Sequence, residues 1–338
     1  PPENRAPDEP GNDLFTLLYH NMLSIDHPDH TRLRALVSKA FTSRHIQALA
    51  PRIQEIADQL IDDFEREGQV NLIEAYAFPL PIIVICELLG IPAEDRDTFR
   101  VWSQAFLGIA HDDHTYFQSL TDFVHYIGDL IADRRINPRD DFVSGLVHAE
   151  EAGQRLTEQE LYSMLALLIV AGHETTVNLI GNGTAALLQH PDQMALLQRD
   201  PALIESAIEE FLRYVGPAEL TTTRYAAEDV HIGDTFIPCS TPLIVILAAA
   251  NRDPVEFQNP TTMDITRGSN KHLGFGYGVH YCLGAPLARL EARIAFNTLL
   301  KRLPTIQLAV PSSRLKYSNA SIVRGLVDLP VQWTVAGT

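Results

Sequence analysis

The spacing of apolar residues predicts a mainly helical chain. From His30 to about Glu67 they recur every three or four positions (Leu33, Leu36, Val37, Ala40, then Ile53, Ile56, Leu60, Phe64), with Pro51 as a break. The same period predicts helices over about 72–90, 94–110, 115–135 and 140–150, separated by Gly90-Ile-Pro92 and Asn137-Pro138. The longest helix begins at Leu156-Thr157, where Thr157 and Glu160 form a capping-box pattern, and continues to about Gln189 before His190-Pro191. A helix of that length spans a whole domain and touches its centre. Another is predicted over about Pro201–Tyr214. Between 218 and 247 the pattern changes: Thr221-Thr-Thr223, Val230-His-Ile232 and Phe236-Ile237 read as short strands, the last two joined by Gly233-Asp234. A loop rich in Pro, Asn and Gly covers 251–278, a last helix runs over about Pro286–Leu303, and short strands close the chain. Residues 1–13 read as an irregular lead-in.

Composition narrows the function classes. The 338 residues are 46% apolar and 20% charged, ordinary for a globular protein with a large core. A net charge of −17 makes nucleic acid a poor partner. Apolar stretches such as Pro81-Ile-Ile-Val-Ile-Cys86 are core-sized, shorter than the ~18 residues of a membrane helix, and no signal peptide is visible. Three cysteines form no paired framework, which points to a reducing, cytoplasmic setting. Against this acidic background, His30 to Gln54 holds five cations (Arg32, Arg34, Lys39, Arg44, Arg52) and no acid. That segment is either a docking patch for an acidic partner or a helix exposing ordinary basic residues.

The densest chemical signal is His272-Leu-Gly-Phe275-Gly-Tyr-Gly278-Val-His280-Tyr-Cys282-Leu-Gly284-Ala-Pro286. Four glycines in positions 274–284 permit an unusual backbone, and Pro286 marks the first turn of a helix. A cysteine delivered there meets unpaired N–H groups and the positive end of the helix dipole, which favour its thiolate and suit it to an axial metal ligand. Cys86, alone on an apolar helix, and Cys239 in Ile-Pro-Cys-Ser read as packing residues.

This segment resembles the haem-binding loop of the cytochrome P-450 family, Phe-x-x-Gly-x-x-x-Cys-x-Gly, with Phe275, Gly278, Cys282 and Gly284 at every fixed position. The resemblance extends from His30 to the end of the chain and is closest to soluble bacterial members. It implies a mainly α fold with small β-sheets, one cytochrome P-450 domain over 1–338, whose long central helix lies over haem b (iron protoporphyrin IX). Cys282 would be the thiolate ligand, pushing electron density onto iron, and Phe275 would pack beside it. On the long helix, Ala171-Gly172-His173-Glu174-Thr175-Thr176 looks like the family's acid-then-threonine oxygen-activation motif. Glu174 would feed protons, and Thr175 would hold dioxygen and its water after turning its hydroxyl to the Ala171 carbonyl and opening the helix locally; Thr176 is a packing residue. Gly172 costs propensity in mid-helix and should serve a purpose. Glu210 and Arg213, at i and i+3, match the helix pair that supports the haem loop, a buried structural role. His30, Arg34, Arg224 and His280 match the cations that bind the haem propionates.

The implied reaction is insertion of one oxygen atom from O2 into a lipophilic substrate such as a polyketide or terpenoid. Electrons would come from a separate ferredoxin-type donor and its NAD(P)H reductase. Substrate contacts carried over from the family are the region 103–116, Leu168, Ala171, Leu220, Thr221 and Ser321-Ile322-Val323. Family members of this kind carry a further N-terminal stretch, with a small sheet, ahead of the His30 helix, so the chain is expected to be N-terminally incomplete. Two alternatives share the haem-thiolate: a peroxide-driven peroxygenase, in which the Glu174-Thr175 pair would be replaced, and a non-enzymatic sensor. Gly181-Asn-Gly183-Thr-Ala-Ala186 imitates a dinucleotide-binding turn, but it continues a helical run; His111-Asp-Asp-His114 lacks further ligands at zinc-site spacing.

Overall fold

The computed structural model describes residues 20–95, 98, 99, 101, 102, 113–149, 153–318 and 322–335. They form two compact units, Pro1–Ile56, Pro79–Glu174 and Pro286–Ala288 in one, Ala57–Phe78, Thr175–Ala285 and Arg289–Thr338 in the other.

The first unit is helical. Helices α1 (Asp29–Ala40), α2 (Ser43–Ala48) and α3 (Ala50–Phe64, whose residues from Ala57 on belong to the second unit) cover the periodic run. The break expected at Pro51 is present: α2 ends at Ala48 and α3 opens at Ala50, with Pro51 in its first turn, where a missing N–H costs nothing. Leu33, Leu36 and Val37 bury one face of α1, and Phe41 after it meets Phe142 edge-on at 5.6 Å. Then come α4 (Pro79–Leu89), α5 (Asp113–Ile136) and α6 (Phe142–Val147). The π-helical turn Ile73–Ala77 preceding α4 belongs to the second unit and was not readable from the apolar period. The helix expected over 94–110 falls largely outside the described residues; its visible part supplies Phe99 and Trp102, which pack with Phe123 and Tyr126 of α5 at ring separations from 4.9 to 6.1 Å.

Helix α7 (Glu158–Gln189) has the predicted length. Its capping box forms: the Thr157 N–H donates to Glu160 Oε2 at 2.8 Å, and the Glu160 N–H to Thr157 Oγ1 at 3.3 Å. Glu160 also takes the Arg32 guanidinium of α1. By length and composition α7 could cross a membrane, which the sequence expectation had not allowed; 61% of its apolar window is buried inside the fold.

In the second unit follow α8 (Pro191–Arg199), a 3-10 turn at Pro201–Leu203, α9 (Ile204–Tyr214), α10 (Leu247–Ala250) and α11 (Ala285–Arg302). Strands are short. The sheet β1 (Gln69–Asn71), β7 (Pro330–Gln332), β6 (Gln307–Leu308) is antiparallel, with the fully buried Val331 between Val70 and Leu308. β3 (Val230–Ile232) and β4 (Thr235–Ile237) form the predicted hairpin over Gly233-Asp234. Thr221–Thr223 is not a strand; the two-stranded ladder here is β2 (Arg224–Tyr225) opposite β5 (Pro242–Leu243).

Candidate functional site

The cysteine loop is fixed by its own backbone. Gly276 and Gly278 both sit at φ +73, a conformation that side chains resist, and this folds the chain back tightly. The Gly276 N–H donates to the Leu273 carbonyl at 2.9 Å, the Tyr281 N–H to Gly278 at 3.1 Å, and the Cys282 N–H to Phe275 at 2.8 Å. Phe275 and Cys282 are therefore held together by main chain. Phe275 is buried; the Cys282 thiol is half-buried, just before α11, with Gly284 as its N-cap and Pro286 in its first turn.

Behind this loop stand two consecutive carboxylates of α9. Glu210 points inward and is fully buried with Arg213, which donates to it from Nε at 2.8 Å and Nη2 at 2.7 Å. Arg213 also donates to the carbonyls of Asn251 (3.0 Å), Pro260 (2.7 Å) and Thr262 (3.0 Å). Glu210 further accepts from Arg267 (3.0 Å), Asn270 (3.1 Å) and the Asp264 N–H (2.8 Å). The pair is thus buried, as the resemblance implied and its spacing alone did not. Glu209, which the sequence did not single out, faces the loop itself. It accepts from Arg289 Nε at 2.6 Å and Nη2 at 2.8 Å, and meets His272 Nε2 at 2.9 Å. Burial alone would raise the Glu209 carboxyl, but Arg289 and His272 hold it down to about 2.

On α7, Glu174 and Thr175 are half-buried and Thr176 is buried, in keeping with a packing role for the last. The helix is continuous through this segment. At Gly172 space is tight: an added Cβ would lie 3.2 Å from Ile85 Cδ1 of α4. Ala171 is exposed in mid-helix although Leu165, Ile169 and His173 are buried, and Leu168 is half-buried.

The structure brings together four proposed substrate contacts, Leu220, Thr221, Ile322 and Val323. Ala218 bridges Val323, the Glu219 N–H reaches Ile322 O at 3.1 Å, and the Arg324 N–H reaches Pro217 O at 2.8 Å. Leu220 bridges Ile246, while the Thr221 N–H donates to Val245 O at 3.0 Å. Asn182 of α7 pins both segments, donating to the carbonyls of Val215 (3.2 Å) and Arg324 (3.0 Å). Ile244, Val245, Ile246 and Ile322 leave an exposed apolar surface there. Ser321 and 103–112 lie outside the described residues, as do His111 and Asp112 of the zinc-like pattern.

The four predicted propionate cations divide between the units. His30 is buried on α1 one turn from Arg34; burial, then the Arg34 charge, lower its pKa. Arg224 is half-buried in β2, and His280 is half-buried in the 3-10 turn Gly278–His280. The basic segment is less available than its sequence suggests: Arg32 is taken by Glu160, and Arg52 by Glu87 at 2.8 Å and Glu55 at 3.0 Å.

These residues fit a haem. Within the second unit, one thiol on a rigid turn supplies a soft axial ligand, the main chain ties it to the buried Phe275, and Arg224 and His280 suit a group bearing carboxylates. A family model described as Cytochrome P450 matches residues 97–307. The chain is 49% identical over 312 residues to the polyketide biosynthesis cytochrome P450 PksS of Bacillus subtilis (strain 168), covering 92% of this chain and 77% of that protein. It is 48% identical over 320 residues to the cytochrome P450 monooxygenase PikC of Streptomyces venezuelae, covering 94% and 76%. The solved structure of PksS matches with a TM-score of 0.91 at 47% identity, covering 96% of this chain and 84% of that one.

Proposed function

Since the chain belongs to the cytochrome P450 family and is a haem-dependent monooxygenase, we propose that its substrate is a lipophilic secondary metabolite, a polyketide or terpenoid, hydroxylated or epoxidised by one oxygen atom of O2. Relatives named for polyketide biosynthesis and for hydroxylation or epoxidation of mycinamicin IV support that substrate class. Electrons are assigned to a separate ferredoxin-type donor with its NAD(P)H reductase, and the setting to the cytoplasm. The chain is read as one cytochrome P450 domain.

Bound through a cysteine thiolate, haem iron activates dioxygen, the sulfur favouring O–O cleavage. Cys282 is assigned as that ligand. The observation that carries the assignment is the 2.8 Å bond from the Cys282 N–H to the Phe275 carbonyl on a loop that ends at the mouth of α11. A sulfur fixed in this way faces the positive end of a helix and keeps its charge. Phe275 and Gly284 shape its surroundings. His30, Arg34, Arg224 and His280 are assigned to the propionates. Glu174 is assigned to carry protons inward and Thr175 to hold water and the oxygen by its hydroxyl. Leu168, Ala171, Leu220, Thr221, Ile322 and Val323 are assigned to the substrate wall, apolar with one hydroxyl, which matches an oxygenated lipophile.

The test is the carbon-monoxide difference spectrum of the reduced protein, alongside Cys282→Ala. A Soret band at the position that names the family, lost in the variant, is the expected result; a band at the histidine-haem position in both would refute the ligand assignment. Thr175→Ala is expected to consume NADPH with little product and more peroxide. Unchanged coupling would remove Thr175 from oxygen handling.

A further inference from the structure

The cysteine loop has little packing of its own. Tyr277 and Val279 are 88% and 69% exposed, and a Cβ added at Gly278 would meet nothing within 4 Å. Yet a network of side chains grips it at three points. At its start, the Gly274 N–H donates to His272 Nδ1 at 3.0 Å, so Nε2 of that ring carries the proton and donates it to Glu209. In its middle, the Arg289 guanidinium lies over the Phe275 ring, 4.5 Å from the centroid. At its end, Arg289 Nη1 donates to the Tyr281 hydroxyl at 3.3 Å, one residue before the cysteine. Glu209 fixes the plane of Arg289 by two parallel bonds, so the orientation of the stacked face is set from α9.

We propose that Arg289 is a positioning residue for Cys282: clamped by Glu209, its guanidinium plane holds Phe275 and Tyr281 and so fixes the loop that presents the thiolate. The proposal rests on Cys282 being the haem ligand. It divides the two neighbouring carboxylates of α9 by task. Glu210 braces the interior, and Glu209 braces the loop. Only arginine can perform both halves of the task, because a lysine offers neither a planar face nor a two-pronged donor.

A simple charge effect makes a different prediction from a positioning effect. Removing Arg289 would leave an unpaired anion beside the cysteine loop and lower the potential of a haem held there; removing the Glu209 charge would leave an unpaired cation and raise it. Loss of a shared clamp moves the potential in one direction for both. The experiment measures the haem reduction potential, and the rate at which the thiolate-type carbon-monoxide band converts to the thiol type, in the holoenzyme. The variants are Glu209→Gln, Arg289→Gln, Arg289→Lys, the Glu209→Gln/Arg289→Gln double and Tyr281→Phe. Arg293→Gln, which loses only a 3.5 Å pair to the exposed Glu205 on α9, is the control.

Same-sign shifts are expected in Glu209→Gln and Arg289→Gln, with about fivefold faster conversion and no additivity in the double variant, as for residues of one network. Arg289→Lys should not rescue, and the control should match wild type. Should the Arg289 variants fail to load haem, Glu209→Gln and Tyr281→Phe decide the matter by shifting in the same direction as each other. Opposite-sign shifts, full additivity or rescue by lysine would overturn the positioning role of Arg289. A thiolate band missing from the wild type would instead overturn the ligand assignment beneath it.

Discussion

Replacing Glu210 by glutamine tests how far the interior of the second unit depends on one carboxylate. The side chain is fully buried and serves as acceptor for four groups: Arg213, Arg267, Asn270 and the Asp264 N–H. Glutamine keeps the shape but removes the charge. It leaves the wholly buried Arg213 and the nearly buried Arg267 without their carboxylate, and turns an NH2 group toward donors. Breaking a buried pair in this way costs about 3–5 kcal/mol, a large part of the ~5–15 kcal/mol by which domains are stable. Arg213→Lys should cost less, at the lower end of that range, because Glu210 keeps Arg267, Asn270 and the Asp264 N–H. The carbonyls of Asn251, Pro260 and Thr262 would then share one ammonium. The assay is urea unfolding of the haem-loaded protein followed by far-UV circular dichroism. Arg302→Gln supplies the contrast: Arg302 meets Asp58, Asp62 and Glu65 at a solvent-exposed site, where loss of ion pairs costs at most about 1 kcal/mol. If Glu210→Gln lost no more than Arg302→Gln, or less than Arg213→Lys, the hub assigned to Glu210 would be wrong.

Two further predictions use other parts of the second unit. An alanine at Gly325 would drive its Cβ into the Asn178 carboxamide, so Gly325→Ala should cost about 1–3 kcal/mol by overpacking, and Asn178→Ala in the same chain should recover most of it; equal costs in both backgrounds would place the strain elsewhere. Glu291 is fully buried on α11, and burial raises its carboxyl well above 4.5. The folded state therefore binds a proton that the unfolded chain gives up as pH rises past 4.5, and stability is lost across that rise. Glu291→Gln should leave stability unchanged near pH 4.5 and increase it at neutral pH; parallel pH profiles would contradict this.

Much of the fold was legible because local signals coincided with tertiary demands. The capping box at Thr157 and Glu160, the stop before Pro191 and the Gly233-Asp234 turn each act within a few residues, and α7 and the β3–β4 hairpin follow them. β1 was not legible, since Gln69–Asn71 becomes a strand only by pairing with β7 far along the chain. Pro51 marked a real break, since a new helix opens at Ala50-Pro51. Among the proposed site residues, those on a fixed-spacing motif stand out in the sequence: Cys282, Phe275, and the pair Glu210 and Arg213. Glu209 could not. It is chemically identical to its neighbour, and only the helix rotation that sends one carboxylate inward and the other toward Arg289 separates them. Glu291 looks in sequence like any charge on an amphipathic helix.

The pairing of segments 217–221 and 322–324 has a consequence for altering selectivity. Apart from Thr221 Oγ1, the Arg324–Glu219 pair and the Asn182 side chain, their mutual bonds and those to Val245 and Ile246 run through peptide groups. Peptide pairing is indifferent to side-chain identity. Leu220, Ile322 and Val323 can therefore be randomised together in a library with the frame intact, whereas Asn182 and Gly325, which touch nothing proposed to meet substrate, should stay fixed.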